Sequence, residues 1–270
     1  MTSLDVLITC HNRREKTLAC LTSLAAQSAE LDLQVVLVDA GSTDGTREEV
    51  AERFPGVVLV EVEADVFWGQ GMRVAGARAR PDVDYHLWLN DDVVLSDSAL
   101  AELLRWGRPD RIVVGKLEDD LGNPTYGGLL ARPRRRLSFR PAPVSETPLP
   151  VDTLNGNVVL VGRDVRAAIG TVRGDLFPHA FGDIDYGYTA RGAGFEVLQA
   201  PGIVGECSHN PPPASRRLPT LRGRWRAVIS TKELPPSMWR RACLRHGGVL
   251  APVYFVRPYL RVLRTPSGTA

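Results

Sequence analysis

Over its first 120 residues the chain alternates two hydrophobic periods. Short, nearly continuous apolar runs predict buried strands at 6–8, 35–38, 57–62, 85–89 and 112–117. Between them, apolar positions recur at helical spacing. Leu18, Leu21, Leu24 and Ala25 predict a helix over 14–26, and further helices are expected over 46–54, 71–80 and 97–106. Repeated strand–helix–strand units predict an α/β fold, with a mainly parallel sheet and helices on both faces.

Beyond residue 117 the periodicity weakens. Residues 118–150 are rich in Gly, Pro and Arg, with Arg132, Arg134, Arg135, Arg136 and Arg140 close together, and predict a loop or irregular hairpin. Short strands are expected at 158–161, 196–199 and 203–207, and short helices at 163–169 and 184–191. Pro211-Pro212-Pro213 stops regular structure. Past it, 221–232 and 238–246 read as helices, and 250–263 is apolar and aromatic, with Arg257, Arg261 and Arg264 in or beside it.

Charge changes this picture, because the net +2 conceals a split. From Arg216 onward, twelve Lys or Arg stand against one acid, Glu233, a charge of +11 that leaves −9 on residues 1–215. Such a tail seeks a polyanion. An anionic membrane surface suits its Arg-rich helices and the run Val253-Tyr254-Phe255-Val256, which fit an interface and not a span. A helix packed on the body with a solvated basic face accounts for the pattern equally well. No nucleic-acid-binding motif accompanies the charge, so nucleic acid is not an expected partner. No apolar run reaches about 18 residues, which excludes a spanning helix. Residues 4–9 are too short for a secretory signal, so a cytoplasmic protein is expected. Cys10, Cys20, Cys207 and Cys243 lack metal-ligand spacing and are expected as free thiols.

The candidate chemistry sits at strand ends. Val35-Val36-Leu37-Val38 ends in Asp39, followed by Gly41, Ser42 and an Asp44-Gly45 turn. Leu87-Trp88-Leu89 ends in Asn90-Asp91-Asp92. Carboxylates at the C-terminal ends of buried strands lie where open α/β sheets bind ligands. Two adjacent carboxylates repel, and a divalent cation shared with substrate phosphates relieves that. Thr9-Cys10-His11-Asn12-Arg13 closes the first strand and opens the first helix; it offers backbone N–H groups to a ligand, or a simple helix cap by Asn12. Trp68, in the glycine-flanked Phe67-Trp68-Gly69-Gln70-Gly71-Met72 loop, packs on a ligand or in the core. Asp183 is either a dipole-favoured residue at a helix start or a general base. His179 and His209 each read as structural when taken alone.

In order along the chain these residues resemble a bacterial family 2 glycosyltransferase, over roughly residues 4–210. Thr9 to Arg13 is similar to the family's opening, and Asp39 to Gly45 to its nucleotide-binding loop. Asn90-Asp91-Asp92 is similar to its metal motif, with Asn90 replacing the usual Asp. Phe181-Gly182-Asp183-Ile184-Asp185 resembles its Glu-Asp-x-Asp stretch, with Gly182 in place of Glu. The aromatic loop and basic tail look most like the rhamnosyltransferase branch.

The resemblance implies a Rossmann-like GT-A fold over 1–215, with a nucleotide-binding half at 1–120 and an acceptor-binding half at 121–215. Residues 216–270 would form a basic helical extension. It implies an inverting transfer from a UDP- or dTDP-linked nucleotide diphosphate sugar to a hydroxyl of a glycan or lipid-linked glycan, in cell-surface polysaccharide assembly. The nucleotide sugar would meet Thr9, Cys10, His11, Asn12, Arg13, Asp39, Gly41, Ser42, Asp65, Trp68, Gly71, Met72, Arg73, Asn90 and Asp91. Asp92 and His209 would hold Mg²⁺ or Mn²⁺. Asn155, Gly156, Asn157 and Asp185 would face the acceptor, and Asp183 would be the catalytic base. The implied place is cytoplasmic, peripheral on the inner face of the plasma membrane. Two other readings use the same residues: a sugar nucleotidyltransferase, whose glycine-rich basic loop residues 9–14 lack, and a catalytically weak sugar-nucleotide-binding subunit.

Overall fold

The computed structural model describes residues 1–27, 31–132, 135–231 and 233–263. Arg134 of the basic loop, Lys232, and Arg264 with the rest of the tail lie outside them. The strands are β1 (Thr2–Cys10), β2 (Leu31–Ala40), β3 (Val58–Val62), β4 (Tyr85–Leu89), β5 (Val94–Leu95), β6 (Arg111–Val114), β7 (Leu117–Glu118), β8 (Gly128–Arg132), β9 (Arg135–Pro141), β10 (Leu149–Pro150), β11 (Thr153–Leu154), β12 (Val158–Gly162), β13 (Glu196–Gln199) and β14 (Gly205–Glu206). The helices are α1 (Arg14–Ala25), α2 (Thr46–Arg53), α3 (Trp68–Arg78), α4 (Ala99–Trp106), α5 (Arg163–Ile169), α6 (Gly182–Gly192), α7 (Ala214–Arg217), α8 (Leu221–Val228), α9 (Pro236–His246) and α10 (Ala251–Val262).

Eight strands form the central sheet, in the order β10-β13-β6-β12-β4-β1-β2-β3. Neighbours among β3, β2, β1 and β4 are parallel, as are β6 and β13. The mainly parallel sheet expected from the apolar runs is therefore present, with β12 antiparallel to both β4 and β6 and β10 antiparallel to β13. Where a loop or irregular hairpin was expected, β8 and β9 pair as a hairpin with a register shift, and β11 joins its edge. The expected strand over 203–207 shrinks to β14, paired with β5 and β7.

Period-2 alternation along the buried strands builds two cores. Val6, Ile8, Leu37, Leu87 and Leu89 face one side and meet Leu18, Leu21 and Leu24 of α1 and Leu100 and Leu103 of α4. Leu7, Val36, Val38 and Trp88 face the other and meet Met72 and Ala75 of α3 and Tyr186 and Ala190 of α6. Each fully buried large apolar side chain contributes about 1.5–3 kcal/mol. A third cluster joins Phe177 to Val228, Met238, Trp239, Tyr254 and Tyr259, so the basic tail packs on the body. No helix among the described residues is long and apolar enough to cross a membrane.

Candidate active site

Strand order reverses at β1, with β2 on one side and β4 on the other. Open α/β sheets leave a crevice at the carboxyl ends of such strands. Here it is a cleft of about 930 Å³. Thr9, Cys10, His11 and Arg13 line it from the end of β1 and the junction to α1, and Asn90, Asp91 and Asp92 line it from the end of β4. Asp65, Trp68 and Gly71 join them, followed by Asn155, Gly156, Asn157 and Asp183. Because β12 is antiparallel to β4, its start lies beside the end of β4. The Asn90 N–H donates to the Asn157 carbonyl (2.9 Å), which brings residues 155–157 to the carboxylates.

Arg13 bridges the carboxylate pair, its Nη1 lying 3.1 Å from Asp91 Oδ1 and 3.0 Å from Asp92 Oδ2. Burial nonetheless pushes Asp91 up to about 6; Arg13 pulls it down and the Asp92 charge adds to the rise. The Cys207 thiol donates to Asp92 Oδ1 (3.6 Å). Burial, then the neighbouring Asp92, pushes that thiol up to about 12, so it is neutral.

The two loops beside β1 and β2 are stitched together. Asn12, at φ 49, accepts from the Thr43 N–H (2.7 Å) and donates its own N–H to Ser42 Oγ (2.9 Å). Asn12 does not cap α1 as the cap reading expected. Arg13 is the N-cap residue, without a side-chain bond, and Asp44 accepts from the Arg14 N–H. Gly41 and Gly45 take the positive φ values, 65 and 83, that their turns require. Asp39 is buried between Val38 and Ala40, its neighbours in the chain, which both line the cleft. Its Oδ1 accepts from the Ser42 N–H (2.7 Å), while its Oδ2 is buried without a hydrogen-bond partner.

The start of α3 explains the aromatic loop. The Gly69 N–H donates to the Pro178 carbonyl (2.8 Å), and a Cβ at Gly69 would lie 2.2 Å from the Phe177 carbonyl oxygen. Only glycine lets the two backbones meet there. Trp68 donates Nε1–H to Asn90 Oδ1 (2.9 Å) and stands edge-on to Trp88 (6.2 Å). The indole therefore fixes the side-chain amide that begins the metal-like motif.

Asp183 lies in the first turn of α6, where the helix dipole favours a carboxylate. It accepts from the Gly156 N–H (3.0 Å) and the Ile184 N–H (2.8 Å). Burial raises its pKa, and those two N–H groups oppose the rise. The residue before the helix, Phe181, is held at φ 73, with its ring against Trp239 (5.0 Å). Gly182, the departure from the family's Glu, is buried, and a Cβ there would lie 2.9 Å from Val172.

Other predicted residues stand away from the cleft. Asp185, expected on the acceptor side, is buried and points to the tail. Arg245 Nε and His246 Nε2 each lie 2.6 Å from its Oδ1. Although burial raises its pKa, the bonds from His246 and Arg245 hold it below the usual carboxylate value. His209, expected beside Asp92, is exposed with its ring against Tyr126 (5.3 Å), and it does not line the cleft. Among the described residues no three His, Cys, Asp or Glu side chains form a ready metal cluster. Met72 is core and Arg73 is exposed.

A family model described as Glycosyl transferase family 2 matches residues 5–147. The chain belongs to that family. No curated protein matches at a significant level. A mannosyltransferase from Pyrobaculum calidifontis, solved with GDP-Man and Mn2+, is 18% identical, with a TM-score of 0.56 over 97% of this chain and 81% of that one. The S. aureus TarS 1–349 structure is 15% identical, with a TM-score of 0.54 over 89% and 69%. GalNAc-T7, solved with UDP, GalNAc and Mn2+, is 15% identical, with a TM-score of 0.64 over 96% of this chain and 54% of its own. At such identities the likeness shows the fold, which is the GT-A fold the motifs implied.

The family match ends before Asn155, so the helix side of the glycosyltransferase cleft rests on its own geometry. Sequence reasoning missed Tyr126 and Asn210, which line the cleft, and Cys207 at Asp92. Cys207 had one available signal, its position two residues before His209. Nothing in the local sequence pointed from Asp185 to Arg245 and His246.

Proposed function

We propose that this glycosyltransferase moves a sugar, with inversion, from a UDP- or dTDP-linked nucleotide diphosphate sugar to a hydroxyl of a glycan or lipid-linked glycan. Its setting would be cell-surface polysaccharide assembly on the inner face of the plasma membrane. One observation carries the reading: Asp183 opens onto the same cleft as the Asp91–Asp92–Arg13 cluster. A single carboxylate facing a bound donor suits a single displacement. Asp183 takes the proton from the acceptor hydroxyl as that oxygen attacks, and a pKa raised by burial makes it a stronger base.

The donor side supports a nucleotide. The unpartnered Asp39 Oδ2 would be satisfied by a base N–H or a ribose hydroxyl, since buried carboxylate oxygens rarely go unpaired. The residues also fit a divalent cation. The Asp91 and Asp92 carboxylates stand side by side in the cleft, and oxygen ligands of this kind suit a divalent cation. Asp92, which lines the cleft beside Asp91, would hold Mg²⁺ or Mn²⁺, which when bound neutralises charge on the leaving diphosphate. Mn2+ accompanies GDP-Man in the mannosyltransferase and UDP in GalNAc-T7, which favours the same assignment here.

A panel of UDP-, dTDP- and GDP-sugars with Mn²⁺ tests the reading. A matching donor should raise the melting temperature and release nucleoside diphosphate. Stabilisation without turnover, even with glycan acceptors, would favour the binding-subunit reading. Turnover of nucleoside triphosphate and sugar phosphate would favour the nucleotidyltransferase.

A further inference from the structure

The tail packs on the body and still leaves an apolar face in water. On α10, Ala251, Tyr254, Tyr259 and Val262 face inward. The outward positions are Val253, Val256, Leu260 and, at the C-cap, Leu263, in steps of three, four and three along one stripe, with Val249 exposed in the short 3₁₀ turn (Gly248–Leu250) before the helix. Val249 is 97% exposed and Val253 59%. On α8, Leu221 and Trp225 are exposed at a step of four, with Ile229 exposed at its C-cap, and the Trp225 ring meets the inner Tyr259 of α10 (6.1 Å), so α8 packs beside α10. A helix pair that is apolar on both faces has one face built for something other than the core.

We propose that this outer face of α8 and α10 docks on an anionic bilayer. The chemistry around the stripe selects that occupant. Arg222, Arg226, Arg257 and Arg261 are exposed beside the apolar positions. The one acid of the tail, Glu233, accepts from the Ser215 N–H (2.9 Å) and belongs to the body. A second copy laid on this face would set arginine rows against arginine rows. A lipid surface carrying negative headgroups meets both features, with side chains entering the acyl boundary and guanidinium groups on phosphates.

The face is fixed relative to the cleft. Trp239 of α9 donates Nε1–H to the Tyr254 carbonyl (3.0 Å), and Tyr259 donates its hydroxyl to the Leu234 carbonyl (3.0 Å). Arg245 and His246 of α9 hold Asp185, two residues from Asp183. A bilayer bound here therefore lies at a set position relative to the Asp183 side, where a lipid-linked acceptor would enter. Docking itself does not depend on the transfer reading, because vesicle binding needs no donor.

The experiment is co-sedimentation of the full chain with vesicles of phosphatidylglycerol and phosphatidylcholine, against phosphatidylcholine alone. The wild type should bind the anionic vesicles more tightly and release as salt approaches about 0.5 M. Combined Val253→Ser, Val256→Ser and Leu260→Ser should weaken binding at least about ten-fold, with helix content by circular dichroism and donor turnover unchanged. No anionic preference, or equal binding by the triple variant, would overturn the proposal. A wild-type dimer that the triple variant converts to monomer would overturn it too, by assigning the face to a second copy.

Discussion

Asp91 and Asp185 are both buried aspartates in one catalytic body, and their surroundings answer burial in opposite ways. On the sheet side of the cleft, Asp91 shares Arg13 with Asp92, and burial still lifts it to about 6. On the helix side, Arg245 and His246 satisfy Asp185 and hold its pKa low in spite of burial. On the sheet side Arg13 and Lys16 face the pair, yet burial still disfavours the charged form of Asp91. The helix side uses its charge to join α6 to the tail. The contrast separates residues that wait for a substrate from residues that place them.

The largest effect should come where the two sides meet. Replacing Asp183 with Asn keeps its shape and removes the base, so donor turnover should fall about 10²–10⁴-fold. Nucleotide-induced thermal stabilisation should stay close to wild type, and loss of both would make Asp183 a structural residue. Gly156→Ala is a milder break. Its Cβ would lie 2.6 Å from the Trp68 ring and 3.3 Å from Asp183 Cβ, so the indole must shift. Turnover should fall about 10- to 100-fold, with the fold intact by circular dichroism.

Asp185→Asn should destabilise the chain by about 2 kcal/mol in urea titrations at pH 7, because Arg245 and His246 lose their counter-charge. Asp91→Asn should act the other way and stabilise the unliganded chain by about 1 kcal/mol at pH 7. The pH dependences should also oppose. Between 3.8 and about 6 the folded chain holds a proton on Asp91 that the unfolded chain lacks, so this contribution to stability falls as pH rises through that window. For Asp185 the unfolded chain takes the proton first, so its contribution is present above the usual carboxylate range and is lost as pH falls through it. Equal signs for the two variants would erase the contrast.

Legibility in the sequence followed the same division. The sheet side was readable because buried parallel strands are continuous apolar runs, and their polar ends stand out: 85–89 is the expected strand residue for residue. On the helix side the longer elements were readable too, with 163–169 and 196–199 found residue for residue, but the shortest strands and the long-range contacts were not. β5, β7, β10, β11 and β14 are two residues each, too short to carry a period. Asp185 sits in a motif-like stretch, yet its partners lie about 60 residues away in a tail read for its charge and helices, not for contacts with the body. The Gly69 motif read as a glycine-flanked aromatic loop and is a backbone contact with Phe177 and Pro178, which no local pattern encodes. The apolar stripe of α10 was visible as composition, while its outward direction needed the packing of Tyr254 and Tyr259.

A single displacement with Asp183 as the base inverts the anomeric centre. Proton NMR of the first-formed sugar during donor turnover, read before mutarotation, tests it most directly, with water or an added glycan as acceptor. The product's anomeric configuration should be opposite to that of the donor. A product that keeps the donor's configuration would contradict it, because retention proceeds through a covalent intermediate or front-side attack and not through the back-face displacement that Asp183 would serve.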